Sequence, residues 1–190
     1  MIAGRVLLSA VLLLAAAPAR AGTAGGSSPA LARLKADLAG PESATQVLTR
    51  WCGELHLAEP ARIRAVRVHQ DKPAAHWIRQ MLHARPRERL RYRRVQLMCG
   101  AHILSEADNW YRPARLTAAM NRILDTTDRS FGAVVRPLNF HRRTLSRQSD
   151  TDAMTPLRLT AVLETPDGEP FSLVVENYRP ILVMPPRHSH

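Results

Sequence analysis

The sequence predicts an α+β fold: a single antiparallel sheet of about six strands with helices on one face. Three observations carry this. Several segments alternate apolar and polar residues with a period of two. Others repeat apolar residues at three-four spacing, as amphipathic helices do. The strand-like segments follow one another through turn signals, the pattern of hairpins and not of parallel crossovers.

Size and composition agree with one domain. The chain has 190 residues, a formal net charge of +11 and an apolar fraction of 45%. That apolar content excludes wholesale disorder. No apolar run reaches the ~18 residues of a membrane-spanning helix, so no membrane span is expected. Two cysteines exclude a disulfide-stapled scaffold or a Cys-rich zinc domain. The basicity is almost all arginine, with Lys35 and Lys72 the only lysines, a skew that fits GC-rich coding. Six arginines fall between Arg85 and Arg94. No interleaved aromatic platform accompanies them, so a solvated Arg-rich loop is favoured and no nucleic-acid partner is expected.

Residues 1–21 read as a secretory signal peptide. Arg5 supplies the positive start, Val6 to Ala17 a short apolar run, and Ala19-Arg20-Ala21 a small-x-small cleavage site. The expectation is an exported, periplasmic protein. Residues 22–42 read as a linker and N-terminal segment, with a short helix near Leu31 to Leu38. The domain proper is expected over 43–184 and a flexible tail over 185–190.

Within the domain, Ser43 and Gln46 form a capping box ahead of Val47, Leu48, Trp51, Cys52 and Leu55 on one helical face. Arg62 to His69 reads as a strand, and Ala75 to Ala84 as a helix ending before Pro86. From Tyr92, the residues Val95, Leu97 and Cys99 take one face of a strand and Arg94, Gln96 and Met98 the other. Gly100 turns the chain into a strand over Ile103 to Tyr111, stopped by Pro113. A helix capped by Thr117 follows, with Met120, Ile123 and Leu124 inward, then a short turn or helix over Ser130 to Val135. Leu138 to Arg147 is a further strand. Leu157 to Leu163 and Phe171 to Tyr178 form the last hairpin around Pro166-Asp167-Gly168.

Motifs for metal, nucleotide or nucleophilic-elbow chemistry are missing from the sequence, and no metal or cofactor is expected. Cys52 and Cys99 can pair in an oxidising compartment or stand as separate buried thiols. Two charges on strands attract notice. Arg94 opens an apolar strand, and Glu176 sits deep in Ser-Leu-Val-Val-Glu-Asn-Tyr, although Glu has poor strand propensity. They belong either to a solvated face or cross-strand pair, or to a ligand cavity where Arg grips a carboxylate and Glu serves as an acid.

The run Tyr92-Arg93-Arg94-Val95-Gln96-Leu97-Met98-Cys99-Gly100 resembles the strand of bacterial chorismate lyases that carries the substrate-gripping Arg. Ala107 to Pro113, Ser130-Phe131-Gly132, Arg143 and Leu173 to Pro180 resemble later family segments in the same order. The resemblance implies a sheet with helices on one side of a small buried cavity, a fold shared with ligand-sensing modules of bacterial regulators. It implies that Arg94 grips a ring carboxylate and that Glu176 meets the para oxygen and donates a proton. Arg143 and Phe131 complete the pocket. The implied activity is cofactor-free carbon–oxygen lysis, the elimination of pyruvate from chorismate to give 4-hydroxybenzoate. The alternative is a non-catalytic periplasmic module that binds a small aromatic or cyclic carboxylate, which the leader favours.

Overall fold

The computed structural model describes residues 28–40 and 42–184. The expected signal peptide and C-terminal tail lie outside the described residues.

The described chain begins with a helix, α1 (Pro29–Ala39). Ser28 caps it by accepting from the Leu31 amide, and Pro29 suits the first turn, where its missing N–H is not needed. Leu31, Leu34 and Leu38 are buried in the main core. The expected boundary at residue 43 is therefore corrected: α1 is part of the domain and not of a linker, because its apolar stripe has no other place to be buried. Helix α2 (Ala44–Glu54) starts with the expected capping box and buries Val47, Leu48, Trp51 and Cys52. Asp37 accepts from Trp51 Nε1 at 2.7 Å and from Arg50 at 3.0 Å, which ties the two helices together.

Six strands follow: β1 (Ile63–Val68), β2 (Arg91–Cys99), β3 (His102–Tyr111), β4 (His141–Asp152), β5 (Thr155–Glu164) and β6 (Pro170–Tyr178). They form one sheet in the order β1-β2-β3-β6-β5-β4, and every neighbouring pair is antiparallel. The tight β2–β3 turn needs Gly100, whose φ is +55°. A Cβ there would also stand 2.8 Å from the Ala58 Cβ.

Cross-strand register decides which residues share a face. Val95, Ala107, Glu176 and Leu159 lie side by side across four strands. The next row, Arg94, Asp108, Val175 and Thr160, points to the other side. The first face carries α1, α2, α4 (Ala118–Thr126) and α5 (Phe131–Val135), as expected. The short α3 (His76–Met81) packs on the other face, where Ile78 and Leu82 meet Trp110, Val162 and Leu173. Cys52 of α2 and Cys99 of β2 are disulfide-bonded, with Cα atoms 6.1 Å apart.

Candidate functional site

Between the sheet and its helical layer lies a cavity of about 760 Å³. Its floor is the sheet face carrying Val95, Leu97, Ala107 and Val174. The N-terminal turn of α2, Ser43 to Gln46, and the start of α5, Phe131 to Ala133, form the roof. Ser43 caps α2 with its side chain, and Ser130 stands in extended backbone at the N-cap position of α5 without a capping hydrogen bond. Thr45 donates to the Ser130 hydroxyl at 3.0 Å and joins the two parts of the roof.

Charged groups sit on this largely apolar floor. Glu176, only 5% exposed, accepts from Arg142 at 2.5 Å and from the Tyr178 hydroxyl at 2.9 Å. Tyr178 follows two residues later on the same strand and so shares the face. Burial pushes the Tyr178 phenol well above its ordinary value, and the Glu176 charge pushes the same way. The hydroxyl therefore keeps its proton and serves as a donor. Burial opposes the charge on Arg142, but Glu176 and Tyr178 together outweigh it, and the guanidinium stays above its ordinary value. The Nε of Arg142 is buried and has no hydrogen-bond partner.

A second buried guanidinium, Arg93, stands in the cavity wall. It donates to the Arg129 carbonyl at 3.2 Å, while its Nε has no partner. Among the described residues it has no carboxylate within ion-pair distance. Burial, reinforced by the nearby positive charge of Arg67, lowers it from its ordinary value.

Two sequence expectations fail here, each by one position. Arg94 lies on the opposite sheet face from Glu176 and is engaged by Glu106 at 2.9 Å and Gln70 at 3.3 Å. Arg94 and Glu176 do not converge. Arg143 is likewise turned away, with its Nε 2.8 Å from Glu164, and its neighbour Arg142 occupies the cavity. A strand's side chains alternate, so a shift of one residue changes the face completely. The signal for Arg93 was present, since the alternation that points Val95, Leu97 and Cys99 inward also points residue 93 inward. No comparable signal marked Arg142. The apolar residue of β4, Leu145, packs on the far face, and the strand register shifts beside it. Phe131 lines the cavity, with its ring 5.2 Å from that of Tyr111. Among the described residues, no group of three or more His, Cys, Asp or Glu could hold a metal ion.

No family model matches the chain. It is 46% identical over 172 residues to the uncharacterized protein y4mC of Sinorhizobium fredii, an alignment covering 78% of this chain and 73% of that protein. The chain belongs to the y4mC family.

Among solved structures, this y4mC-family chain is similar to the effector domain of PhnF from Mycobacterium smegmatis. The TM-score is 0.53 at 14% identity, covering 74% of this chain and 90% of the domain. Against the whole PhnF chain the TM-score is 0.53 at 15% identity, with 74% of this chain and 64% of that chain covered. The y4mC-family chain thus spans less than two thirds of the full regulator and nearly all of its effector domain. Its fold is the α+β, chorismate lyase-like architecture of regulator effector domains.

Proposed function

We propose that this y4mC-family protein is a binding module for a small organic acid, held in the cavity above the sheet. The observation that carries the reading is the Arg142–Glu176 pair in the cavity lining, with the buried Tyr178 hydroxyl donating to Glu176 from behind. Buried ion pairs cost desolvation and are weak sources of stability. Charged groups at a cavity wall have instead the character of a recognition site, where a few polar groups orient a ligand among apolar walls. Arg142 supplies charge for an acid group, and Arg93 adds a second buried cation without a carboxylate. The free valence of Glu176 suits a ligand hydroxyl or amine.

Binding is favoured over lysis because both contacts to Glu176 use it as an acceptor, the reverse of a proton donor's task. A lyase of the chorismate type would also need its carboxylate grip from Arg142 or Arg93, since Arg94 faces the other side of the sheet. Calorimetric titration with 4-hydroxybenzoate, chorismate and related acids tests the reading. The expected result is saturable binding that Glu176→Gln weakens by about tenfold or more, with no pyruvate released from chorismate. Pyruvate production lost in Glu176→Gln would establish the lyase instead. Absence of binding to any acid would remove the proposal.

Export is also part of this proposal. It is supported by the leader-like pattern of residues 1–21 and by the Cys52–Cys99 bond, a pairing suited to an oxidising compartment. The mass of the protein from the periplasmic fraction of a Gram-negative host should correspond to a chain beginning at Gly22. A full-length mass in the cytoplasmic fraction would refute export.

A further inference from the structure

Among the described residues, Arg93 is the buried cation of the cavity that no carboxylate answers. It is 2% exposed, its Nε has no hydrogen-bond partner, and its one acceptor is the Arg129 carbonyl at 3.2 Å. The other cations of the lining are differently placed. Arg142 faces Glu176, His141 faces Glu164, and Arg136 is exposed to solvent. Glu42 also lines the cavity, but it is exposed and held by Arg50 at 2.8 Å. A buried charge is costly unless an opposite charge meets it. A ligand anion is the counterpart that this arrangement leaves room for.

A second source of positive potential reaches the same place. The carbonyl that takes the Arg93 hydrogen bond belongs to the residue before Ser130, and the Ser130 hydroxyl accepts from Thr45 at 3.0 Å. Thr45 lies in the first turn of α2, an 11-residue helix whose start, Ser43 to Gln46, lines the cavity. A helix start carries free amides and the positive end of the helix dipole. The capping box occupies the Gln46 amide, and the Val47 amide bonds back to the Ser43 carbonyl. The amides of Ala44 and Thr45 have no acceptor among the described residues. Asn109 of β3 stands opposite Arg93 in the sheet and lines the cavity too. Its Oδ1 accepts from the Ser172 hydroxyl at 2.6 Å, which leaves its Nδ2 hydrogens as free donors. Guanidinium, helix amides and side-chain amide are all donors, the complement of an anion.

We infer that the ligand's acid group is seated between Arg93 and the first turn of α2, with Asn109 beside it. This rests on the reading of the cavity as a small-acid site and assigns the anion-binding end of that site. Such a seat selects an anion over a neutral polar group of the same shape, because a charge-assisted contact is stronger than a neutral one.

Titration calorimetry on 4-hydroxybenzoate and benzoate, each beside its neutral amide, tests the assignment. The acids are expected to bind about tenfold more tightly than the amides. That ratio should fall toward one in Arg93→Met and be reduced in Ala44→Pro. Proline suits the first helical position, and Ser43 already has the extended backbone, φ −66° and ψ 152°, that a following proline requires. Ala44→Pro therefore removes one amide donor and keeps the helix. Without ligand, the urea midpoint of Arg93→Met should not fall, because the substitution removes a charge buried without its counterpart. A falling midpoint, with acid and amide weakened alike, would make Arg93 a structural clamp on Arg129 and overturn the inference. An acid preference unchanged in either variant would also overturn it. In both outcomes, acid binding by the wild-type protein that Glu176→Gln weakens would leave the small-acid reading standing. Failure of both acids to bind the wild-type protein would overturn the inference together with the reading beneath it.

Discussion

Glu176 and Arg94 both lie within otherwise apolar strands, and their environments could hardly differ more. Glu176 shares a closed face with Tyr178 and Arg142, whereas the Arg94 side chain is 28% exposed and pairs with Glu106 on the other face. Removing one member of a buried pair leaves the other charge stranded, at a cost of about 3–5 kcal/mol. A half-exposed pair is worth about 0–1 kcal/mol. Glu176→Ala is therefore expected to lower the urea midpoint severely, and Arg94→Ala barely to move it. Arg94→Ala should also leave acid binding intact. Equal losses from the two substitutions, read by urea denaturation and calorimetry, would contradict the assignment of faces. The existence of a strand carrying an inward Arg was legible from Val95, Leu97 and Cys99. Choosing between the adjacent Arg93 and Arg94 required that alternation to be followed one residue further back. Between Arg142 and Arg143 the sequence offered no such guide, because Leu145 points to the layer beneath α3.

At the scale of elements, α2 is the part of the roof on which the cavity most depends. Its N-terminal turn faces the cavity and its Cys52 is bonded to Cys99 on the floor strand β2. Asp37 of α1 grips Trp51 and Arg50 from the outside. The disulfide closes a loop with a sequence separation of 47, which in the chain-entropy model is worth about 4 kcal/mol. Replacing both cysteines with serine should lower the unfolding free energy by about that amount and weaken acid binding, because the roof helix loses its covalent tie. Chemical denaturation beside calorimetry checks both effects. A double variant with unchanged stability and affinity would mean that noncovalent packing of Val47, Leu48 and Trp51 holds the helix alone. The helix itself was readable from its capping box and apolar spacing. Helix α1 was harder to place, since Gly and Ser surround it and its leucines show their purpose only when they meet α2 and the sheet.

Over the whole molecule, ion pairs join segments distant in sequence, a loop to the end of β3 in one case and β4 to β5 in another. Arg112 donates to Glu88 at 2.7 Å, and Arg143 to Glu164 at 2.8 Å. In each case the arginine's hydrogen bonds outweigh burial and hold the carboxyl below its ordinary value of 4.5. A group lowered in the folded state contributes stability above its unfolded value, and the contribution is lost as the pH falls through the folded value. The urea midpoint should therefore be steady from about pH 7 to about pH 5 and decline below about pH 4.5. Glu88→Gln should make that decline shallower. A decline of equal steepness in the variant would show that Glu88 carries none of the acid sensitivity.

From residue order alone came the α+β class, most strand positions, the caps of α2 and α4, and the suspicion attached to Glu176, because alternation, capping and strand propensity act over a few neighbours. Tertiary structure alone decided that Arg93 and Arg142, with Tyr178, accompany Glu176, and that Arg94 and Arg143 do not. Those assignments depend on register between strands far apart in sequence and on a shift within β4. In a sheet, one residue of displacement exchanges the inside for the outside.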